Sequence, residues 1–183
     1  VGSHASPLPR GRGGSPVNWA ILNRERSWGN TLMRLSPKLD GGDIIGQSIF
    51  PIDDTDTVAT AYGRVEASNL ELIKVWLSDL AVGRASAMPQ EETTEPVLRR
   101  RCPDDGIIDW TQGSVDIDAL VRAVTHPYPG ARTVLNGVPL CIWSTTVVSP
   151  EDVGDSAGLI ESVVVAEGEI AITVQCGRGR LCI

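Results

Sequence analysis

Histidine occurs twice in the 183 residues, and one copy, His4, stands in a stretch dense with turn-forming residues. His4-Ala5-Ser6-Pro7-Leu8-Pro9-Arg10-Gly11-Arg12-Gly13-Gly14-Ser15-Pro16-Val17-Asn18-Trp19 sets an imidazole before a stiff turn, a glycine-rich bend and a helix start. Further on, Leu39-Asp40-Gly41-Gly42-Asp43 carries two carboxylates on a segment able to bend sharply. An imidazole brought against a carboxylate makes a general base that works near neutral pH. The spacing alone leaves open which aspartate serves.

The surrounding elements must bring these groups together. Val1 to Pro9 reads as the end of a strand passing into a loop, with Pro7 and Pro9 fixing φ and barring a helix. Ser15 then Pro16 predicts an N-cap and a first helical residue, opening a helix to about Asn23 whose free N–H groups face the His4 loop. Thr31 to Leu35 and Ile44 to Phe50 predict strands, so Asp40 falls at a strand end. From Thr55 to Leu80, Val58, Ala61, Tyr62, Val65, Leu72, Ile73, Trp76, Leu77 and Leu80 recur at helical spacing, with Tyr62 and Trp76 read as core.

Ala81 to Cys102 has no apolar periodicity and is taken as a linker, so that residues 1–84 form one domain, 85–102 the linker and 103–183 a second domain. In the second domain Ile117, Leu120, Val121 and Val124 predict a helix opened by Ser114 and closed before Pro127. Short β runs follow at 132–135, 140–148, 159–165 and 169–176, divided by Asn136-Gly137, Ser149-Pro150 and Glu167-Gly168 turns. Leu181-Cys182-Ile183 reads as a strand cut short. Such regular short strands predict a small barrel.

Composition narrows the function classes. A formal charge of −7 and a sequence pI near 4.8 disfavour a polyanionic partner such as RNA. Arg99-Arg100-Arg101 is the local exception and reads as a solvated run. The four cysteines lack Cys-x-x-Cys spacing, which predicts no metal site and reduced thiols, hence a cytoplasmic protein. No apolar run approaches the ~20 residues that span a bilayer. Val1 is no initiator, and the site motif starts at once, so the chain reads as a fragment.

Taken together, these motifs resemble the 10-formyltetrahydrofolate-dependent formyltransferases, whose pattern runs Asn-x-His-x-Ser-Leu-Leu-Pro, Arg-Gly, Pro, often Trp, then Leu-Asp-x-Gly-Asp. His4, Ser6, Leu8, Pro9, Arg12-Gly13, Pro16, Asn18 and Trp19 match it, followed by Gly29, Thr31 and Leu39-Asp40-x-Gly42-Asp43. Asp105-Gly106-Ile107-Ile108-Asp109-Trp110 and Pro127-Tyr128-Pro129-Gly130-Ala131 resemble two later markers of the family. The resemblance implies an α/β fold: the C-terminal part of a Rossmann-like formyltransferase domain, then a small OB-like β-barrel.

It further implies 10-formyltetrahydrofolate as co-substrate, no metal, His4 as base or proton relay, and Asp40 as the group orienting its ring. Asp43 would be structural. Ser6, Pro7, Leu8 and Pro9, with Ser36, Pro37, Lys38, Leu39 and Asp40, would line the folate pocket. The implied acceptor is a primary amine on a small molecule, a nucleotide-linked amino sugar before methionyl-tRNA; a non-catalytic remnant is the reading of another class. Gly2 stands where the family has Asn, the expected oxyanion donor, so Ser3, a backbone N–H or water would have to replace it.

Overall fold

The computed structural model describes residues 1–151, 156–166 and 169–183. They form two compact units, Val1–Arg101 and Cys102–Ile183. The first contains strand β1 (Gly2–His4), helix α1 (Pro16–Leu22), strands β2 (Ser27–Met33) and β3 (Ile44–Pro51), and helix α2 (Val58–Ala81). The strands form an antiparallel sheet in the order β1-β2-β3. In its register His4 stands opposite Thr31, and Thr31 opposite Gln47.

Side chains alternate across a strand, so His4, Thr31 and Gln47 make one row and their neighbours Ser3, Leu32 and Gly46 turn to the opposite face. Helix α2 covers that opposite face. Its residues Val58, Ala61, Val65, Ser68 and Leu72 are buried at helical spacing, and Leu72 packs with Leu32, Ile45 and Ala85. Trp76 and Leu80 pack against the same cluster, and Tyr62 is half-buried. Ile73 and Leu77, expected in the core, are exposed. Each lies one residue, about 100° of helix, beyond buried Leu72 and half-buried Trp76.

Both helix starts differ from what the sequence suggested. Thr57 and Thr60 form a reciprocal capping box on α2. Ser15 precedes α1 in a left-handed conformation, and its Oγ accepts the Arg101 N–H at 3.2 Å instead of capping the helix. Just before α2, buried Asp56 accepts bonds from the Asp53 N–H at 2.7 Å, the Thr60 hydroxyl at 2.8 Å and the Arg64 guanidinium. Burial pushes this carboxyl up, but those bonds outweigh it and hold it below the ordinary 3.8.

A depressed pKa stabilises the fold above the unfolded value and ceases to do so as pH falls through the folded one. Asp56→Asn should therefore cost about 2 kcal/mol at pH 7, the scale of a broken buried charged bond. The gap to the natural protein should shrink progressively as pH falls below the ordinary 3.8. Urea unfolding at neutral and at acid pH reads both; an equal gap throughout would contradict the assignment.

Residues 85–101, expected as a linker, lie along the first unit. Ala85 joins its core, Met88 exchanges two backbone bonds with Ile44, and Leu98 bridges to Gly13. Arg99 and Arg101 stack on Trp19, so the arginine run is not merely solvated. The compact units therefore divide at Arg101 and Cys102. A segment without apolar periodicity still carries backbone donors and acceptors, and here the partners are on the sheet edge and the glycine bend.

The second unit holds helix α3 (Ser114–Val124) and strands β4 (Ala131–Leu135), β5 (Val138–Ile142), β6 (Thr146–Ser149), β7 (Ile160–Ala166), β8 (Glu169–Gln175) and β9 (Arg180–Cys182). On α3, Ile117, Val121 and Val124 are buried. Asn136 and Gly137, both with positive φ, turn the β4–β5 hairpin. The other four strands form an antiparallel sheet in the order β6-β9-β8-β7.

The expected 140–148 run is split between β5 and β6, which lie in different sheets. The run at 181–183 forms part of β9, which pairs on both edges. The Glu167-Gly168 turn lies outside the described residues. Cys102 and Cys141 are exposed, whereas burial pushes the Cys176 thiol up to about 11. A thiol alkylating agent at pH 7.5 should modify the first two and spare Cys176, as peptide mass mapping would show.

The fold is mixed α/β with a β-rich second unit. Every ladder between these strands is antiparallel, and the sheet of the first unit is a three-stranded meander with α2 on one face.

Candidate active site

His4 ends β1, and its ring is held from both sides. Nε2 lies 2.9 Å from the Gly11 carbonyl oxygen, and Nδ1 lies 3.5 Å from Asp40 Oδ1. The two side chains are 12% and 17% exposed, sheltered yet open to a reactant. A neutral imidazole has one N–H to share between two acceptors. A proton taken up by the ring therefore meets an oxygen already in place. The 3.5 Å separation is longer than an ordinary hydrogen bond.

The loop after His4 is braced by the row behind it. Buried Thr31 donates its hydroxyl to the Ser6 carbonyl at 2.7 Å and accepts the Leu8 N–H at 3.2 Å. Gln47 donates to the Leu8 carbonyl at 2.8 Å, Ser6 to the Arg10 carbonyl at 2.8 Å, and Trp28 Nε1 to the Ala5 carbonyl at 2.8 Å. Thr31 stood in the matched pattern with no role attached, and Gln47 was not singled out in the sequence. Their period-2 placement opposite His4 is the signal that a register would have supplied.

Asp40 is presented from the turn between β2 and β3 with a left-handed φ of 45°. Its Oδ2 accepts the Gly13 N–H at 2.9 Å, which aims Oδ1 at the imidazole. Two glycines are required sterically. A Cβ on Gly42 would sit 1.7 Å from the Arg34 carbonyl oxygen, and one on Gly13, at φ 108°, would sit 2.2 Å from that of Leu98. Of the two carboxylates, the structure brings Asp40 to His4, while Asp43 contributes its backbone carbonyl to Arg34 N–H.

Among the residues expected around folate, Ser6 and Leu8 are buried, Pro7 and Pro9 half-buried, and Ser36, Pro37, Lys38 and Leu39 exposed. Ser3 is not positioned to replace the family Asn. Its Oγ lies 2.8 Å from Asn30 Oδ1 and 2.5 Å from Asn69 Oδ1, on the sheet face away from His4. Gly2 does share the His4 face. A 210 Å³ cleft abuts Gly11, lined by Arg10, Trp19, Glu25, Trp28 and Glu95 among others. Among the described residues, no three His, Cys, Asp or Glu converge as metal ligands, and no helix is long and apolar enough to cross a membrane.

The first unit thus presents a sheltered imidazole–carboxylate pair on a braced loop, a proton-transfer arrangement in a mixed α/β scaffold. The formyl transferase family model matches residues 1–75, and the model of the formyl transferase C-terminal domain matches 102–183. The chain belongs to the formyl transferase family.

Its fold is similar to that of HypX from Aquifex aeolicus in complex with tetrahydrofolic acid, at 23% identity and TM-score 0.75 over 99% of this chain and 30% of that one. An N-formyltransferase from Helicobacter canadensis, solved with folinic acid and dTDP-3-aminofucose, matches at 22% identity and TM-score 0.74, over 98% of this chain and 64% of that one. A methionyl-tRNA formyltransferase from Clostridium thermocellum matches at 20% identity and TM-score 0.62, over 97% and 68%. The chain spans about a third of the HypX chain and somewhat under two thirds of the Helicobacter enzyme.

Proposed function

We propose that this chain carries the proton-transfer centre of an N-formyltransferase that moves a formyl group from 10-formyltetrahydrofolate to a primary amine. The observation that carries this reading is the approach of Asp40 to His4 with Gly13 fixing the carboxylate. The amine nitrogen attacks the formyl carbon, and its surplus proton passes to His4 Nε2, which exchanges the Gly11 carbonyl for the amine. Asp40 receives the Nδ1–H, selecting the tautomer that leaves Nε2 free as base. The C–N10 bond then breaks, and the proton moves to N10.

Folate would lie along Pro7, Pro9 and the exposed Ser36–Leu39 turn beside the pair, with Ser6 and Leu8 supporting that wall from inside. The first unit is then the C-terminal part of a Rossmann-like domain, and the second an OB-like one. Free thiols agree with a cytoplasmic enzyme. For the acceptor we favour a nucleotide-linked amino sugar, because a chain of charge −7 repels a polyanion. The Helicobacter and Clostridium relatives frame the choice.

Tetrahydrofolate release with dTDP-amino sugars and with methionyl-tRNA, offered in parallel over a range of salt, tests it. Turnover with the sugar nucleotide, little affected by salt, is expected. Turnover with tRNA whose KM rises steeply with salt would overturn the acceptor assignment, since phosphate contacts release counterions.

A further inference from the structure

Between the His4 loop and the Asp40 turn lies a side chain that belongs to neither. Gln90 Nε2 donates to the Asp40 carbonyl and to the Gly42 carbonyl, each at 2.7 Å. Its Oε1 accepts from Arg12 Nε at 3.0 Å and Nη2 at 2.5 Å. Both amide hydrogens and the carbonyl oxygen are engaged, and the flanking groups fix the amide orientation, since guanidinium only donates and carbonyls only accept.

We propose that Gln90 is a positioning residue for the His4–Asp40 pair: its carboxamide locks the Asp40–Gly42 turn to Arg12 and so sets where the Asp40 carboxylate stands. The proposal rests on the reading of that pair as the proton-transfer centre.

Asp40 adopts a left-handed backbone, which aspartate tolerates better than most L-residues but still at a cost that local hydrogen bonds offset. The Asp40 and Gly42 carbonyls lie in a turn outside the strand ladders, and Gln90 supplies a donor to both. Arg12 is the chain neighbour of Gly13, whose N–H holds Asp40 Oδ2. The links Arg12–Gln90, Gln90–Asp40 and Asp40–Gly13 therefore close a ring that contains both halves of the site. Residue 90 is itself anchored on both sides, by the Met88–Ile44 exchange and by Leu98, whose N–H donates to the Arg12 carbonyl at 2.7 Å.

Glutamine suits this place because one end must donate and the other accept. Glutamate would still receive Arg12 but would set carboxylate lone pairs against two carbonyl oxygens. Gln90→Glu is thus a near-isosteric test, and Gln90→Ala its truncation. Two readings are taken on each full-length variant: exchange of the Gly13 amide hydrogen by NMR, and kcat and KM for 10-formyltetrahydrofolate.

Both variants should exchange Gly13 about tenfold faster or more. Their kcat should fall about 10- to 100-fold with KM nearly constant, the scale of a small misplacement of a catalytic group. Thermal midpoints should stay close to that of the natural protein, separating positioning from global stability. Folded Gln90→Glu with unchanged Gly13 exchange would overturn the proposal whether or not the chain turns over. Faster Gly13 exchange in a chain whose unmodified form has no formyl transfer would support the clamp and overturn the reaction it is said to serve.

Discussion

Replacing His4 by Ala should lower kcat for formyl transfer by about 10²- to 10⁴-fold, the usual contribution of a positioned general base. The imidazole's contacts within hydrogen-bonding reach are the Gly11 carbonyl and, more loosely, Asp40, so its removal leaves the strand pairing of β1 intact. The variant should fold and bind folate. Asp40→Asn is the sharper companion. Asn can still accept the Gly13 N–H, but an amide N–H2 facing Nδ1 favours the tautomer with its proton on Nε2, the nitrogen that should act as base. A loss of at least about a hundredfold is expected, with the circular dichroism spectrum unchanged. Steady-state kinetics on both variants give the result; full turnover in either would remove the pair from the mechanism.

Gly2→Asn should act in the opposite direction. A formyl transfer passes through a tetrahedral oxyanion, and one well-placed donor typically contributes about 10²- to 10³-fold in kcat. The family places an Asn side chain two residues before the histidine, where this chain has Gly2, and strand alternation puts position 2 on the His4 face. There is room: a Cβ there meets only the Leu35 side chain, Cδ2 at 2.8 Å, and Leu35 is exposed and free to turn aside. Ser3→Ala, on the opposite face, should leave kcat nearly unchanged. A folded Gly2→Asn variant with no gain would show that another donor already serves the oxyanion.

The approach of His4 and Asp40 was legible in the sequence because the two residues lie in short runs of unusual composition. Proline and glycine around His4 and the glycines around Asp40 mark turns by steric necessity, and Gly13 and Gly42 are confirmed as positions where no side chain fits. Helix α2 was legible through periodicity and β3 through its short apolar run, whereas β2 runs Ser27–Met33 and so starts before the expected Thr31 and ends before Leu35. The strap at 85–101 was not, because its attachment is made by backbone bridges at Met88 and Leu98 and by one carboxamide, none of which leaves a periodic trace. Ile73 and Leu77 misled for a related reason: an apolar residue next to a buried one need not face the core.

Ser15 shows that a good capping residue can be diverted to another donor, here the Arg101 N–H. Thr31 matched the family pattern without a stated role and Gln47 carried no motif; the register is what shows their contact with the His4 loop. Strand pairing, unlike helical spacing, is set by partners distant in the chain.

Formyl transfer through His4 and Asp40 is tested most directly by isotopically labelled 10-formyltetrahydrofolate, with the label followed into an acid-stable amide on a dTDP-amino sugar. Label should appear in the amide with the natural chain and be lost in step with tetrahydrofolate release in His4→Ala. A folded chain that binds the folate and transfers no label, with or without the Gly2→Asn donor, would contradict the account and leave a non-catalytic formyltransferase homologue.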